Sequence, residues 1–435
     1  MSQIVFWEKP ALDREQSYSR NFTPLVNQLP LSSCEISVIV PVRNEAENIE
    51  ATLLALTNQV ELDGSPLDKK RYEIIVLANN CSDDSAQIAR QFAKSQPDLI
   101  LHVVEMTIAR DRAHIGWVRK ILMDEACRRL KLIGRELGVI ASTDGDTQVA
   151  PTWIAATLAE FETGADAVGG RIITEPSQRK ELDNATRLYF LRTVGYLYLI
   201  FQLEGYLDPY ICDPNPRHHQ HYGASLAVTA QMYAKVGGLP PIPSSEDVAL
   251  YDALIRNDAC FRHSQTVQVL TSARVMGRAK AGLADRLAQL KVMGEKHESF
   301  LVESATLIEA RFRIRRHLRY LWRRKQQGIS ISNQIIAILS KFLGIDANLL
   351  LEIIMRSPTF GILVEQIAQE QAKNQELAHI WAKVTIQQAI SELRIKVNRI
   401  SKFNYSSLKQ QEYKYLVSLN SLKHIKPILI LPEPF

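Results

Sequence analysis

Residues 36–45 read ISVIVPVRNE, a short apolar, mostly β-branched run that ends in Pro41 and a polar cluster. Such a run is the signature of a buried strand. The residues after it predict a helix over 44–56, with Ile49, Leu53 and Leu56 on one stripe. The same unit recurs downstream. YEIIVLA (72–78) reads as a second strand before a helix over 84–93, LILHVV (99–104) as a third before a long helix over 114–132, and GVIAST (138–143) as a fourth. Strands alternating with helices imply a largely parallel α/β sheet with helices on both faces, joined by right-handed crossovers. Ligands bind such sheets beyond the carboxyl ends of the strands, so the residues that follow each strand are the first place to look for chemistry.

Beyond Pro151 the pattern gives a helix over 153–161, a strand over 165–173, a long helical stretch and the polar loop DPNPRHHQHYG (213–223). GASLAVTA, a Gly-Gly turn, a helix from Glu246 and a strand pair around 261–271 follow. From about residue 283 the periodicity is helical. The organisation expected is an N-terminal extension (1–30), an α/β domain (31–298) and a helical C-terminal accessory domain (299–435).

The chain has 435 residues, 46% hydrophobic and 23% charged, with a net charge of +5. This is ordinary globular composition, and the mild positive excess suits an anionic substrate without implying nucleic acid. The five cysteines are scattered and form no C-x-x-C pair, so reduced thiols in a cytoplasmic protein are expected. The N-terminus lacks the pattern of a signal peptide. The longest apolar run, 188–203, carries Arg192 and reads as a core or interface helix, with a membrane-surface role as the alternative, rather than a bilayer span. Arg311, Arg313, Arg315, Arg316, Arg319, Arg323, Arg324 and Lys325 alternate with apolar residues. That pattern is either a solvated helix face or, over 311–325, a peripheral contact with the inner face of a membrane.

Several clusters offer chemistry. Asp144 and Asp146 flank Gly145 just past the fourth strand. In extended geometry both would point to one side and could address a hard divalent cation, although D-G-D is also turn chemistry. Asp247 precedes Leu250, Tyr251 and Leu254 by helical spacing, which places its carboxylate on the buried side. Glu246 suits a helix-dipole role, with Ser244 or Ser245 as cap. The loops at 41–45 and 78–84 carry polar groups suited to a base and ribose, or to helix capping. Arg274 and Arg278 beside Gly277 could fork onto a diphosphate. Three histidines in 217–221 invite a zinc reading, but adjacent residues turn onto one ion with difficulty, and an acceptor-binding loop fits better.

The order of these motifs, P-x-x-N-E, N-N-x-S-D-D-S, D-G-D and then E-D after a Gly-Gly turn, resembles the family 2 glycosyltransferases of the GT-A fold over about residues 35–290. The resemblance implies a nucleotide-sugar donor of UDP or GDP type, with Pro41, Arg43 and Glu45 near the nucleotide. Asn79 and Asn80 fall where the family carries an acidic pair, and Arg119 or Lys120 falls in its Gly-Lys-rich loop. It further implies Mg²⁺ or Mn²⁺ on Asp144 and Asp146, and a catalytic base at Asp247 beside Glu246. The Q-x-x-R-W motif of processive synthases is missing, which favours single-sugar transfer. Arg278 stands where some retaining relatives carry a metal-binding His, which favours inversion. A nucleotidyltransferase is the rival enzyme, but PVRNEAEN replaces its Gly-rich basic loop. The other rival is a non-catalytic nucleotide-sugar-binding or scaffold protein.

Overall fold

The computed structural model describes residues 23–274, 282–296, 298–374, 376–377, 380–403 and 426–432. Of the N-terminal extension, residues 1–22 lie outside this set. The remainder packs on the α/β core, with Val26 buried and the Gln28 carbonyl accepting from Arg129 Nη1 at 2.6 Å.

The chain runs β1 (Ile36–Val42), α1 (Ile49–Thr57), β2 (Tyr72–Asn79), α2 (Ser85–Ser95), β3 (Leu101–Met106), α3 (Ile115–Leu132), β4 (Val139–Ser142), β5 (Thr147–Val149), α4 (Trp153–Glu162), β6 (Ala167–Thr174), α5 (Pro176–Glu181) and α6 (Asn184–Leu207). It continues through β7 (Leu226–Thr229), α7 (Ala230–Lys235), α8 (Glu246–Arg256), β8 (Phe261–Thr271) and α9 (Leu283–Glu295). The eight strands form one mixed sheet in the order β3-β2-β1-β4-β7-β6-β8-β5. β1 to β4 are parallel, β7 runs against β4 and β6, β8 is parallel to β6, and β5 is antiparallel to β8. The carboxyl ends of β1, β2, β4, β6 and β8 and the starts of β5 and β7 therefore share one edge. Side chains alternate across the sheet with the period of two that a strand imposes. Val38, Val40, Ile74 and Val76 join one core with α1, α2 and α4, while Ile39, Ile75 and Leu77 join another with α3, α7 and α8.

Two local expectations change. The first helix begins at Ile49 rather than 44, because Asn44 sits at φ 57, which a right-handed helix does not accommodate. The strand pair expected around 261–271 is the single strand β8. Consecutive residues Gly170 and Arg171 of β6 pair with Ser264 and Gln268 of β8, so residues 265–267 bulge out.

The helical region adds α10 (Ala305–Gln326), α11 (Asn333–Leu343), α12 (Ala347–Arg356), α13 (Phe360–Ala372) and α14 (Ile386–Phe403), with a two-stranded β9 (Leu301–Val302) and β10 (Val384–Thr385). It is not sealed off at residue 298. Tyr196 and Leu203 of α6 and Leu290 of α9 share one buried core with Ile308 of α10 and Leu393 of α14. The basic residues of α10 largely face inward. Arg311 pairs with Glu303 at 2.5 Å, Arg313 with Glu309 at 2.7 Å, Arg315 with Glu204 at 2.8 Å, and Arg319 with Asp208 at 3.0 Å. Arg315 and Arg319 of this run thus tie α10 to the end of α6.

Cys212 and Cys260 form a disulfide with Cα atoms 5.2 Å apart, which corrects the expectation of five reduced thiols. The two residues are 48 apart in sequence, and only the fold brings them together. Cys34, Cys81 and Cys127 are free. Among the described residues no helix is long and apolar enough to cross a membrane.

Asp208 is the keystone of the joint, buried against both Arg315 (3.3 Å) and Arg319. Asp208→Ala would leave Arg319 without its carboxylate, and Arg315 with Glu204 alone, in a low-dielectric setting. A loss of about 3–5 kcal/mol is expected, measured as the unfolding free energy of the full chain in a guanidinium titration.

Candidate active site

The D-G-D segment is a turn, not an extended run. Thr147 N–H donates to the Asp144 carbonyl at 3.1 Å, and Thr52 Oγ1 donates to the Gly145 carbonyl at 3.0 Å. Gly145 is pressed against β1: a Cβ there would stand 3.1 Å from Val42 Cγ2 and 3.2 Å from Glu45 Cγ, so its close neighbours are the protein's own side chains. The turn lies where β4 ends and β5 begins. β5 pairs with β8, where Thr147 Oγ1 bonds Thr271 Oγ1 at 3.0 Å.

Two arginines reach the turn from opposite flanks. Arg274, just past β8, pairs with Asp146 at 2.9 Å and with Glu45 at 3.0 Å. Arg119, on the first half of α3, is only 3% exposed. Its Nη2 donates to Asp144 Oδ1 at 2.6 Å, and its Nη1 donates to Glu246 Oε1. Arg119 therefore ties the D-G-D turn to the start of α8.

That helix inverts one expectation. Glu246 is the buried acid, because it stacks one and two turns above Leu250 and Leu254 on the same helix face. Asp247 is half-buried, at the cleft, and its two oxygens accept from Gly223 N–H at 2.7 Å and Val248 N–H at 2.8 Å. Gly223 has no room for a side chain, since a Cβ would stand 2.3 Å from Arg119 Cζ. Bare backbone at 223 lets the Arg119 guanidinium and the Asp247 carboxylate meet the same short segment.

The other expected residues sit as follows. Pro41 lies in the last turn of pairing of β1, opposite Leu77. Arg43 is exposed and donates to the Ala113 carbonyl at 3.2 Å. Asn79 is buried at the end of β2, and Asn80, at φ 49, has both side-chain polar atoms bonded to the Ile108 backbone at 3.0 Å. Lys120 turns to Asp124 at 2.9 Å, one helical step away from Arg119. Arg278 lies outside the described residues. Sequence reasoning missed Gly223 and Thr52. The glycine that opens GASLAVTA was a usable signal, whereas nothing in the pattern of α1 marks Thr52.

The acids perturb one another. Burial raises Asp144, Arg119 opposes this, and Asp247 and Glu45 raise it further. Burial and then the neighbouring Asp144 push Asp146 from 3.8 up to about 6. Glu246 is raised by burial, with Arg119 opposing and Asp247 adding. Glu45, Asp144, Asp146, Glu246 and Asp247 thus share one electrostatic neighbourhood with Arg119 and Arg274. The donor set at the turn is all hard oxygen, which fits Mg²⁺ or Mn²⁺ completed by phosphate and water rather than a caged ion. Among the described residues no group of three His, Cys, Asp or Glu is disposed to hold a metal by itself.

The histidine loop forms no zinc site. Its rings are buried with His263: His218 Nε2 contacts the Ser264 carbonyl at 2.8 Å, and His221 stacks on Tyr251 at 3.8 Å. Burial, then the charge of His263, brings His218 down to about 3 and His219 to about 4, so both are neutral.

The mixed sheet thus sets an acidic turn after β4 against an acidic helix start, the two joined through Arg119. Residues 37–215 match the model of the family Glycosyl transferase family 2. The chain is 30% identical over 138 residues to glycosyltransferase AglE of Haloferax volcanii, a match covering 32% of this chain and 39% of AglE. It thus spans about two-fifths of that relative's length. Looser likenesses include the mannosyltransferase PcManGT of Pyrobaculum calidifontis in complex with GDP-Man and Mn²⁺, at 16% identity and TM-score 0.36 over 89% of this chain and 86% of that one. S. aureus TarS is similar at 14% identity and TM-score 0.37, over 60% of this chain and 43% of that one.

A carboxyl with a raised folded-state pKa keeps a proton that the unfolded chain has already lost. Its contribution is fullest below pH 3.8 and fades as pH rises to about 6. Asp146→Asn should therefore stabilise the ligand-free protein near neutral pH by up to about 3 kcal/mol. Thermal melts across that pH range should show the gain vanish in acid.

Proposed function

We propose that the chain is a metal-dependent, inverting glycosyltransferase that moves one sugar from a nucleoside-diphosphate donor of UDP or GDP type onto an acceptor hydroxyl. The observation that carries this reading is Arg119, whose guanidinium joins Asp144 of the D-G-D turn to Glu246 beside Asp247. Acids from two distant motifs thereby face one cleft at the carboxyl edge of a parallel strand set, where anionic ligands of α/β sheets bind.

Asp144 and Asp146 would hold Mg²⁺ or Mn²⁺, which when bound offsets charge on the diphosphate leaving group. Pro41, Arg43, Glu45, Asn79 and Asn80 line the nucleotide side. Arg274 is set to exchange its carboxylate partners for phosphate oxygens, an exchange a planar fork makes without losing geometry, and Arg278 would share that load. Asp247 accepts the proton of the attacking hydroxyl. The Gly223 and Val248 N–H groups hold its carboxylate in place while leaving lone pairs for that proton. Glu246 and Arg119 position Asp247 against the donor. A single displacement from the opposite face inverts the anomeric carbon.

Nucleoside-diphosphate sugars should raise the melting temperature in the presence of Mn²⁺, and Asp144→Asn should abolish that metal-dependent shift. Asp247→Asn should keep the shift while lowering sugar turnover by about 10²–10⁴. Loss of donor binding equal to the loss of turnover would remove Asp247 from the role of base.

A further inference from the structure

α6 is apolar on every side from Leu188 to Leu203, apart from Gly195, Arg192, Thr193 and Gln202. A helix apolar all round is ordinarily buried all round, yet α6 is covered on one side only. Tyr196, Leu203 and Leu207 enter the core shared with α9, α10 and α14. On the other side Leu188 and Leu191 are each 47% exposed and Val194 and Tyr198 each 39%. These four recur at three- and four-residue spacing, so they make one continuous stripe, and Gly195 beside them faces open space. The helices packed on α6 also expose apolar residues, Val292 of α9 and Ile395 of α14.

Charge selects the partner. Residues 184–203 contain no carboxylate and include Arg187 and Arg192. α9 exposes Lys291 next to Val292, and α14 exposes Arg394 and Arg399 around Ile395, against Glu295 and Glu392 on the same two helices. Pairing this face with a second copy would set Arg187 and Arg192 against their own counterparts with no acid between them. An anionic lipid surface supplies both what the stripe lacks, an apolar medium, and what its flanks attract, negative charge. Tyr198 suits the boundary, with an apolar ring and a polar tip. We propose that the exposed face of α6 docks on an anionic lipid surface. The basic helix α10, whose Arg311, Arg313, Arg315 and Arg319 are held in ion pairs, is not the contact.

The test is flotation of the full chain with phosphatidylcholine vesicles, with and without phosphatidylglycerol. The protein should float with the anionic vesicles and far less with the neutral ones. The double variant Leu191→Glu and Tyr198→Glu should reduce flotation by about tenfold or more, with the melting temperature unchanged. Arg323→Glu on α10 should float like the unaltered protein. If the double variant misfolds, Leu188→Gln with Val194→Ser probes the same stripe without added charge and should also weaken flotation. Failure of the unaltered protein to float with anionic vesicles would overturn the proposal, as would undiminished flotation of a folded stripe variant. So would a dimer in sedimentation that the stripe variants split while vesicle binding is absent.

Discussion

One buried guanidinium organises this molecule. Arg119 cannot shed its charge, and removing it from water is costly unless its forked donors find carboxylates. It finds two, from opposite ends of the α/β region: Asp144 at the end of β4 and Glu246 at the start of α8. The requirement to satisfy Arg119 fixes how far α8 stands from the central strands. Gly223 then follows, because a side chain there would collide with the guanidinium, and its free N–H is what orients Asp247. The position of the candidate base is thus a consequence of burying one cation.

A second cluster does similar work away from the cleft. Glu204 and Asp208 at the end of α6 receive Arg217 from the histidine loop and Arg315 and Arg319 from α10. The same residues therefore anchor the loop that leads to Gly223 and the long helix of the C-terminal region. The helical region is built into the frame of the cleft, since α6 contributes both to its core and to the segment leading to the site. The disulfide from Cys212 to Cys260 clips that segment to the start of β8.

Much of this was legible in the chain. The β-branched runs at 36–40 and 72–78 and the stripe of Ile49, Leu53 and Leu56 are dictated by period alone, and β1, β2, β3, β4 and β6 lie within two residues of their expected places, whereas the short β5 was not anticipated. The edge that carries the polar motifs follows from parallel pairing. What was not legible depended on long-range partners. The spacing to Leu250 and Leu254 marks Glu246 rather than Asp247 as the inward acid, but the partner that permits a buried carboxylate there, Arg119, lies 127 residues away. D-G-D read as extended is a turn, because a bond from Thr147 closes it. The arginines of α10 read as a surface stripe because their partners lie on α6, 109 residues or more before them in some cases. Cysteine spacing alone could not join 212 to 260.

The central claim is that Asp144, Asp146 and Asp247 face one cleft built for a cation and a diphosphate. The most direct measurement is a crystal structure of the protein soaked with Mn²⁺ and a nucleoside diphosphate, with the ion located by its anomalous signal. The account predicts Mn²⁺ bonded to Asp144 or Asp146 and to the phosphates, with the Asp247 carboxylate open to the same cavity. An ion bound elsewhere, or a nucleotide lying away from the carboxyl ends of β1, β2 and β4, would contradict it.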